Sequence, residues 1–359
     1  MTLCSKLYAQ EISVHQRYEV CAHLRAILPV FTKEEKVPKH SVITSFLGKT
    51  KDRFHEYNEE KSLEEKFIMV SQLDGIDAAE VVFPYEVNSA DELNQLKSKY
   101  NVGLSAVNVN VKAEPEFRNG GLTSPIQSVR ERAVQFIKDA KDFAQQVGAD
   151  KVTCCPLADG YEFNFQVDYI ESWRYLIETF GEAGSYKPEI RLFIEYKPKE
   201  TRGKCFLDSA AKTLCLIKDI GISNLGITLD LGHSIYGNEN PAEALSLIVH
   251  NGVPYYIHAN DNDGTWDWDY MVGSKHFLLF VEFVYYLQEF NYTDYITADA
   301  SPTRFEIKSF FEANARWIDK IWNLLERIDR ETLDELIHGS DFMETWKYIE
   351  EKVLRLGTV

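Results

Sequence analysis

From residue 38 onward the chain alternates between short apolar runs and longer stretches of helical periodicity. The runs are SVITSF (41–46), AEVVFP (79–84), GLSAVNV (103–109), DKVTCC (150–155), RLFIE (191–195), LGITLD (225–230), PYYIHA (254–259) and DYITAD (294–299). Near-continuous apolarity with Val, Ile and Tyr marks strands buried on both faces. Between the runs, apolar residues recur three and four positions apart. Val129, Ala133, Phe136, Ala140, Phe143 and Val147 form one such stripe, stopped by Gly148, and Phe311, Ala315, Ile318, Trp322 and Leu325 form another. Further helices are expected to start near Ser62, Ser89, Gln166, Asp208, Asn240 and Ser274. A helix follows each run, and run ends recur about every 36 residues, the length of one βα unit with a modest loop. The pattern predicts an α/β protein, a closed (β/α)8 barrel over residues 38–328. An open doubly wound sheet would require a Gly-rich turn after an early strand, and the sequence has none. Residues 1–37 read as a polar, helical or irregular lead-in. Residues 329–359 (Leu333, Leu336, Ile337, then Trp346, Ile349, Val353) read as a C-terminal helical extension that would cover the barrel or make a subunit contact.

Charge narrows the partners. Lys and Arg number 39 against 56 Asp and Glu, a net charge of −17. Such a surface repels a phosphate backbone or an anionic bilayer, so neither nucleic acid nor membrane is an expected partner. It suits divalent cations. No apolar run approaches the roughly 20 residues of a transmembrane helix, and the N-terminal MTLCSKLYAQEISVHQR lacks the apolar centre of a signal peptide. Six cysteines (Cys4, Cys21, Cys154, Cys155, Cys205, Cys215) form no CxxC pair. Reduced thiols in a cytoplasmic protein are the expectation.

In a (β/α)8 barrel, chemistry sits at the C-terminal strand ends and the loops after them. The fifth run ends in FIEYKPKE, the sixth in ITLDLGH, the seventh leads into IHANDNDGTWDWD and the eighth ends in ITADAS. These place Glu195, Asp230, His258 and Asp299 at one mouth, with Asp261 and Asp263 also in the seventh loop. Carboxylates packed together repel one another, and keeping them ionised requires a cation. Three carboxylates with one imidazole and no thiolate suit Mn²⁺, Mg²⁺ or Co²⁺ better than a structural Zn²⁺. His233, three residues beyond Asp230, would join Asp267 and Asp269 in a second cation site bridged by Asp230. A pair of cations clamps neighbouring substrate oxygens and activates a bound water.

Together IEYKPKE, LDLGH, the His…DxD segment and the last-strand Asp resemble the xylose isomerase-like TIM-barrel superfamily of sugar isomerases and epimerases. The metal-ligand order is most like its L-rhamnose isomerase branch. The resemblance implies a structural metal on Glu195, Asp230, His258 and Asp299, a catalytic metal on His233, Asp267 and Asp269, and Lys197 as the catalytic lysine at the substrate's carbonyl end. It implies a cytoplasmic aldose–ketose isomerase of a free monosaccharide that works by metal-assisted hydride shift. Two Mn²⁺ (or Mg²⁺ or Co²⁺) per subunit and a dimeric or tetrameric assembly go with it. Sugar contacts would come from Asp159, Tyr161, Phe165 and Trp268, the first three within or beside an ADGYEFNFQ segment shared with sugar-isomerase-like proteins. Thr201 stands where relatives tend to carry Pro. His55, beside Asp52, is the nearest candidate for the family's ring-opening group.

Three rivals remain at this stage. A single-metal epimerase would abstract protons with Glu195 and Asp299 as paired carboxylates, and would leave His233, Asp267 and Asp269 without a task. A metal-dependent nuclease like endonuclease IV would need a basic face, which the −17 charge opposes. A non-catalytic sugar- or metal-binding barrel is the third.

Overall fold

The computed structural model describes residues 37–200 and 202–356. The expected lead-in over 1–37 lies outside the described residues but for Val37, as do Cys4, Cys21 and Thr201. Eight parallel strands form a closed barrel: β1 (His40–Ile43), β2 (Ala78–Phe83), β3 (Gly103–Val109), β4 (Lys151–Cys154), β5 (Arg191–Glu195), β6 (Leu225–Asp230), β7 (Tyr255–Ala259) and β8 (Ile296–Ala298). Each strand pairs with its sequence neighbours, and β8 closes onto β1 through His40–Ile296 and Val42–Ala298. All eight apolar runs therefore became barrel strands, and the predicted (β/α)8 barrel is the fold.

The helices between them are α1 (Leu63–Ser71), α2 (Ala90–Tyr100), α3 (Gln127–Val147), α4 (Tyr169–Ser185), α5 (Ala210–Ile220), α6 (Leu231–Tyr236), α7 (Pro241–His250), α8 (Phe277–Glu289) and α9 (Ile307–Leu325). All but α3 and α8 start after a side-chain cap, which satisfies backbone N–H groups that the first turn leaves unpaired. Ser62, Ser89 and Asn240 cap α1, α2 and α7 at the expected positions. Asp168 and Ser209 cap α4 and α5, just beyond the expected starts. Gly148, at φ 74°, ends α3 in the left-handed conformation a glycine adopts without strain. The short α6 was not anticipated. Beyond α9, α10 (Arg330–Gly339) lies against α8, where Tyr285 donates to Asp334 at 2.7 Å and Leu333 is buried, and α11 (Phe342–Tyr348) follows it. Among the described residues no helix is long and apolar enough to cross a membrane.

Strand alternation separates two cores. Leu192, Ile194, Ile227, Leu229 and Ile257 belong to the large layer between barrel and helices, whereas Ala106, Phe193 and Tyr256 pack together inside the barrel. Gly226 makes room there, because a Cβ at that position would lie 2.6 Å from the Phe193 ring. The interior is layered. Below, Lys151 is buried with its ammonium on Asp294 (3.0 Å), Asp150 (2.9 Å) and the Ser105 carbonyl (3.2 Å), 5.2 Å from the Tyr256 ring. Next come Phe193 and Tyr256. Above them Glu80, Thr153, Thr297 and Ser41 form a polar layer, and Glu195, Asp230, His258 and Asp299 stand at the C-terminal mouth.

Candidate metal centre

The last inward position of β5, β6 and β7 and the residue after β8 supply Glu195, Asp230, His258 and Asp299. One ligand atom from each of the four lies within 4.8 Å of the others. Asp230 does two things: it ends β6 and caps α6, accepting from the His233 N–H at 2.8 Å. That cap turns the chain so that His233 faces back toward the mouth. Its Nδ1 lies 3.3 Å from Glu195 and its Nε2 3.2 Å from Asp267. Asp230, His233 and Asp267 form a second group of the same compactness, sharing Asp230 with the first. Asp269 is in neither group. It sits at φ 51°, uncommon for a residue other than Gly, in the loop closed by the Asp261–Tyr270 bridge. The structure thus brings six of the eight residues read as metal ligands or catalytic groups into these two groups, with Asp269 buried beside them, close enough to feel the charges of Asp267 and Asp299. Lys197 stands at their edge, its Nζ 2.8 Å from Asp267 and 2.6 Å from Glu200.

The donors fit a divalent cation. His258 Nδ1, His233 Nδ1 and Asp267 Oδ1 are buried and have no hydrogen-bond partner, which is rare for buried polar atoms. His258 Nδ1 instead faces Asp299 (3.0 Å) and Glu195 (3.4 Å). Such a ring of acceptors around a bare imidazole nitrogen is a cation's donor set.

Proton affinities reflect the crowding. Burial pushes Asp230 up to about 7, helped by Asp299, Asp267 and Glu195. Burial and the charges of Asp267 and Asp299 likewise push Asp269 well above the usual carboxylate range. Glu195 is also buried, but His258 and His233 outweigh the burial and hold it down at about 2. For His233, burial is overcome by Asp230 and Asp267, which lift it to about 9.

Two residues of this centre escaped the sequence reading. Asn260 donates to Asp230 Oδ2 at 3.0 Å and accepts from the Gly232 N–H at 2.7 Å. Glu80, fully buried on β2, accepts from His258 Nε2 at 3.1 Å. The signal for Glu80 was present as a lone carboxylate in the middle of AAEVVF.

The expected sugar contacts fare differently. Asp159 is buried with Oδ1 committed to the Thr123 N–H and hydroxyl, both at 2.6 Å, so it fastens the loop before α3. Tyr161 lies in a small sheet of Gly160–Tyr161, Lys199–Glu200 and Gly203–Cys205, its ring against Phe206 and Tyr169. Phe165 is fully exposed at 102% and the His55 side chain is 72% exposed. Trp268 is half-exposed and donates to Asp263 at 3.0 Å. Asp261 accepts from the Lys275 and His276 N–H groups at 2.7 and 2.9 Å, ahead of α8.

Barrel and site define a (β/α)8 protein with a cluster of carboxylates and imidazoles at its C-terminal mouth that could hold a cation. The family model for the xylose isomerase-like TIM barrel matches residues 69–321, and the chain belongs to that family. It is 29% identical over 189 residues to an uncharacterized protein of Methanocaldococcus jannaschii, spanning 51% of this chain and 61% of the relative. It is 23% identical over 175 residues to a protein named xylose isomerase from Thermus thermophilus, spanning 47% of this chain and 45% of that one. The chain thus spans only about half the length of these relatives. Among solved structures, a D-tagatose 3-epimerase-like protein superposes with a TM-score of 0.63 at 22% identity, over 79% of this chain and 98% of that one. An L-ribulose 3-epimerase gives 0.60 at 15% identity, over 81% and 96%. At these identities the superpositions speak for the fold alone. The finer likeness to L-rhamnose isomerases is not supported by these relatives.

Proposed function

We propose that the chain is a divalent-metal-dependent aldose–ketose isomerase of a free monosaccharide. The observation that carries this reading is the pair of ligand groups sharing Asp230, with the Lys197 ammonium held against Asp267 at their edge. The first group would hold one cation, and Asp230, His233, Asp267 and Asp269 the other. Mn²⁺ suits this donor set, as do Mg²⁺ and Co²⁺. Cations held there would supply the Lewis acidity that a hydride shift between C2 and C1 of a sugar needs. Lys197 is kept charged by Asp267 and Glu200, which outweigh its burial. Its Nζ donates to O1 and offsets the charge that grows there. As the hydride moves, a proton must pass from O2 to O1. Asp267, bonded to Lys197, and the buried Asp269 would orient the group that relays it. Trp268 at the rim would cover an apolar face of the sugar. The relative named xylose isomerase supports the reaction class.

A second reading, epimerisation at a single cation, draws on a separate observation. Asp267 Oδ2 already meets the Lys197 ammonium and His233 Nε2, so part of the second group is paired within the protein rather than left for a cation. Turnover of pentoses and hexoses by Mn²⁺-loaded protein in D₂O, followed by NMR, separates the two. Substrate hydrogen retained at C1 and C2 marks hydride shift, whereas solvent deuterium marks proton abstraction. Lys197→Met and Asp267→Ala should each lower turnover roughly 10²- to 10³-fold. Full turnover in both variants ends the isomerase reading.

A further inference from the structure

We propose that Glu80 is a positioning residue: from inside the barrel it fixes the ring of His258 so that Nδ1 is presented to the metal centre. The inference rests on the metal reading of this site and is independent of the sugar.

Glu80 is entirely buried on β2, on the opposite side of the His258 ring from the ligand cluster. A carboxylate in such a place is costly unless its lone pairs are satisfied. Here they are. Oε1 accepts from Asn108 Nδ2 of β3 at 3.0 Å and from the Thr153 hydroxyl of β4 at 2.9 Å. Oε2 accepts from the Tyr256 hydroxyl at 3.2 Å and from His258 Nε2 at 3.1 Å, both of β7. Tyr256 in turn meets Thr297 of β8, and Thr297 meets Ser41 of β1. The carboxylate is therefore the hub of a hydrogen-bond belt through six of the eight strands.

Its effect on His258 is directional. A neutral imidazole has one N–H and one lone pair. An acceptor-only carboxylate at Nε2 assigns the hydrogen to that nitrogen, so the lone pair belongs to Nδ1. Nδ1 is the atom that lies bare between Asp299 and Glu195. Without Glu80 the ring would be free to turn or to exchange tautomers, and the only nitrogen donor of the first group would be lost for part of the time. Carboxylate partners of ligating imidazoles act in this way in other proteins, where their removal costs roughly 10- to 100-fold in metal affinity.

The test is Mn²⁺ affinity by titration calorimetry, with ¹⁵N NMR of the His258 ring in Mg²⁺-loaded protein as a second readout. Glu80→Leu should weaken Mn²⁺ binding roughly 10- to 100-fold. Glu80→Gln keeps an acceptor for Nε2–H and should recover most of that loss. In the wild type the ring should carry its hydrogen on Nε2 alone, and in Glu80→Leu the two nitrogens should share it. A folded Glu80→Leu protein that binds Mn²⁺ as tightly as wild type overturns the inference. Should Glu80→Leu fail to fold, Glu80→Gln decides: Nε2–H retained with bound Mg²⁺ supports the assignment, and an Nδ1–H ring refutes it. Tight Mn²⁺ binding with no turnover of any sugar removes the proposed isomerase function and leaves Glu80's role intact. A wild type that binds no Mn²⁺ sinks both.

Discussion

Gly232 offers a substitution whose sign is decided by the site's geometry. It lies in the first turn of α6, where Ala would ordinarily stabilise by roughly 0.8–1 kcal/mol over Gly. Here a Cβ would fall 2.1 Å from Asn260 Oδ1 and 3.1 Å from Asn262 Nδ2. Asn260 is buried and cannot stay where it is. Moving it breaks its 2.7 Å bond from the Gly232 N–H and its 3.0 Å bond to Asp230. The first is worth about 1 kcal/mol, and the second, to a carboxylate, about 1.5–3 kcal/mol. The losses outweigh the propensity gain, so Gly232→Ala should destabilise by about 2–3 kcal/mol, measured as a lower urea midpoint at unchanged slope. The cycle with Asn260→Ala isolates the cause. In that background only the 3.1 Å approach to Asn262 Nδ2 remains, and Gly232→Ala should become close to neutral or stabilising by up to about 1 kcal/mol. A stabilising Gly232→Ala in the otherwise native chain would refute the reasoning, because it would mean that Asn260 does not occupy the space above α6.

Other outcomes follow from the same structure. Asp267→Asn should reduce the Mn²⁺ stoichiometry from two per chain to one in calorimetry, with the Glu195 group intact; two tight sites surviving would contradict the second ligand group. At neutral pH Asp230, pushed up to about 7 by burial, and His233, lifted to about 9 by Asp230 and Asp267 against its burial, hold protons that a cation must displace. Mn²⁺ binding should therefore weaken as pH falls below about 9, by up to about tenfold per unit for each proton released. Calorimetry in buffers of differing ionisation enthalpy counts those protons, and a flat profile rejects the assignment. Away from the site, Lys141 is fully buried and donates to the carbonyls of Ala183, Gly184 and Tyr186 at the end of α4. Lys141→Met strips all three and should cost about 3 kcal/mol, seen as a lower thermal midpoint; an unchanged midpoint would show that water replaces the ammonium.

The barrel was legible because each strand is buried on both faces, so hydrophobicity alone outlines it. The first ligand set was legible because its members end those runs, where strand geometry leaves one choice of direction. Inside the runs the same logic works against recognition. Glu80 and Tyr256 read as strand filler, although period-two alternation places them in the barrel with Glu195 and His258. Loops are harder still, because Asp serves cations, caps and turns alike. Asp261 ended up ahead of α8 and Asp159 on Thr123, whereas Asp267, from the same stretch as Asp261, reached the centre. Three-dimensional pairing separates these uses, and spacing along the chain does not. Phe165, taken from the ADGYEFNFQ segment, and His55, taken as the nearest ring-opening candidate after the first strand, both carry exposed side chains.

The buried ammonium of Lys151 stoppers the floor of the barrel. A cavity with one door imposes an order on traffic. Whatever enters last must depart first, so ions seated on Glu195 and Asp230 would be locked beneath any sugar resting above them. Stripping by a chelator should then slow in proportion to sugar occupancy, as it would not if a second exit ran through the base.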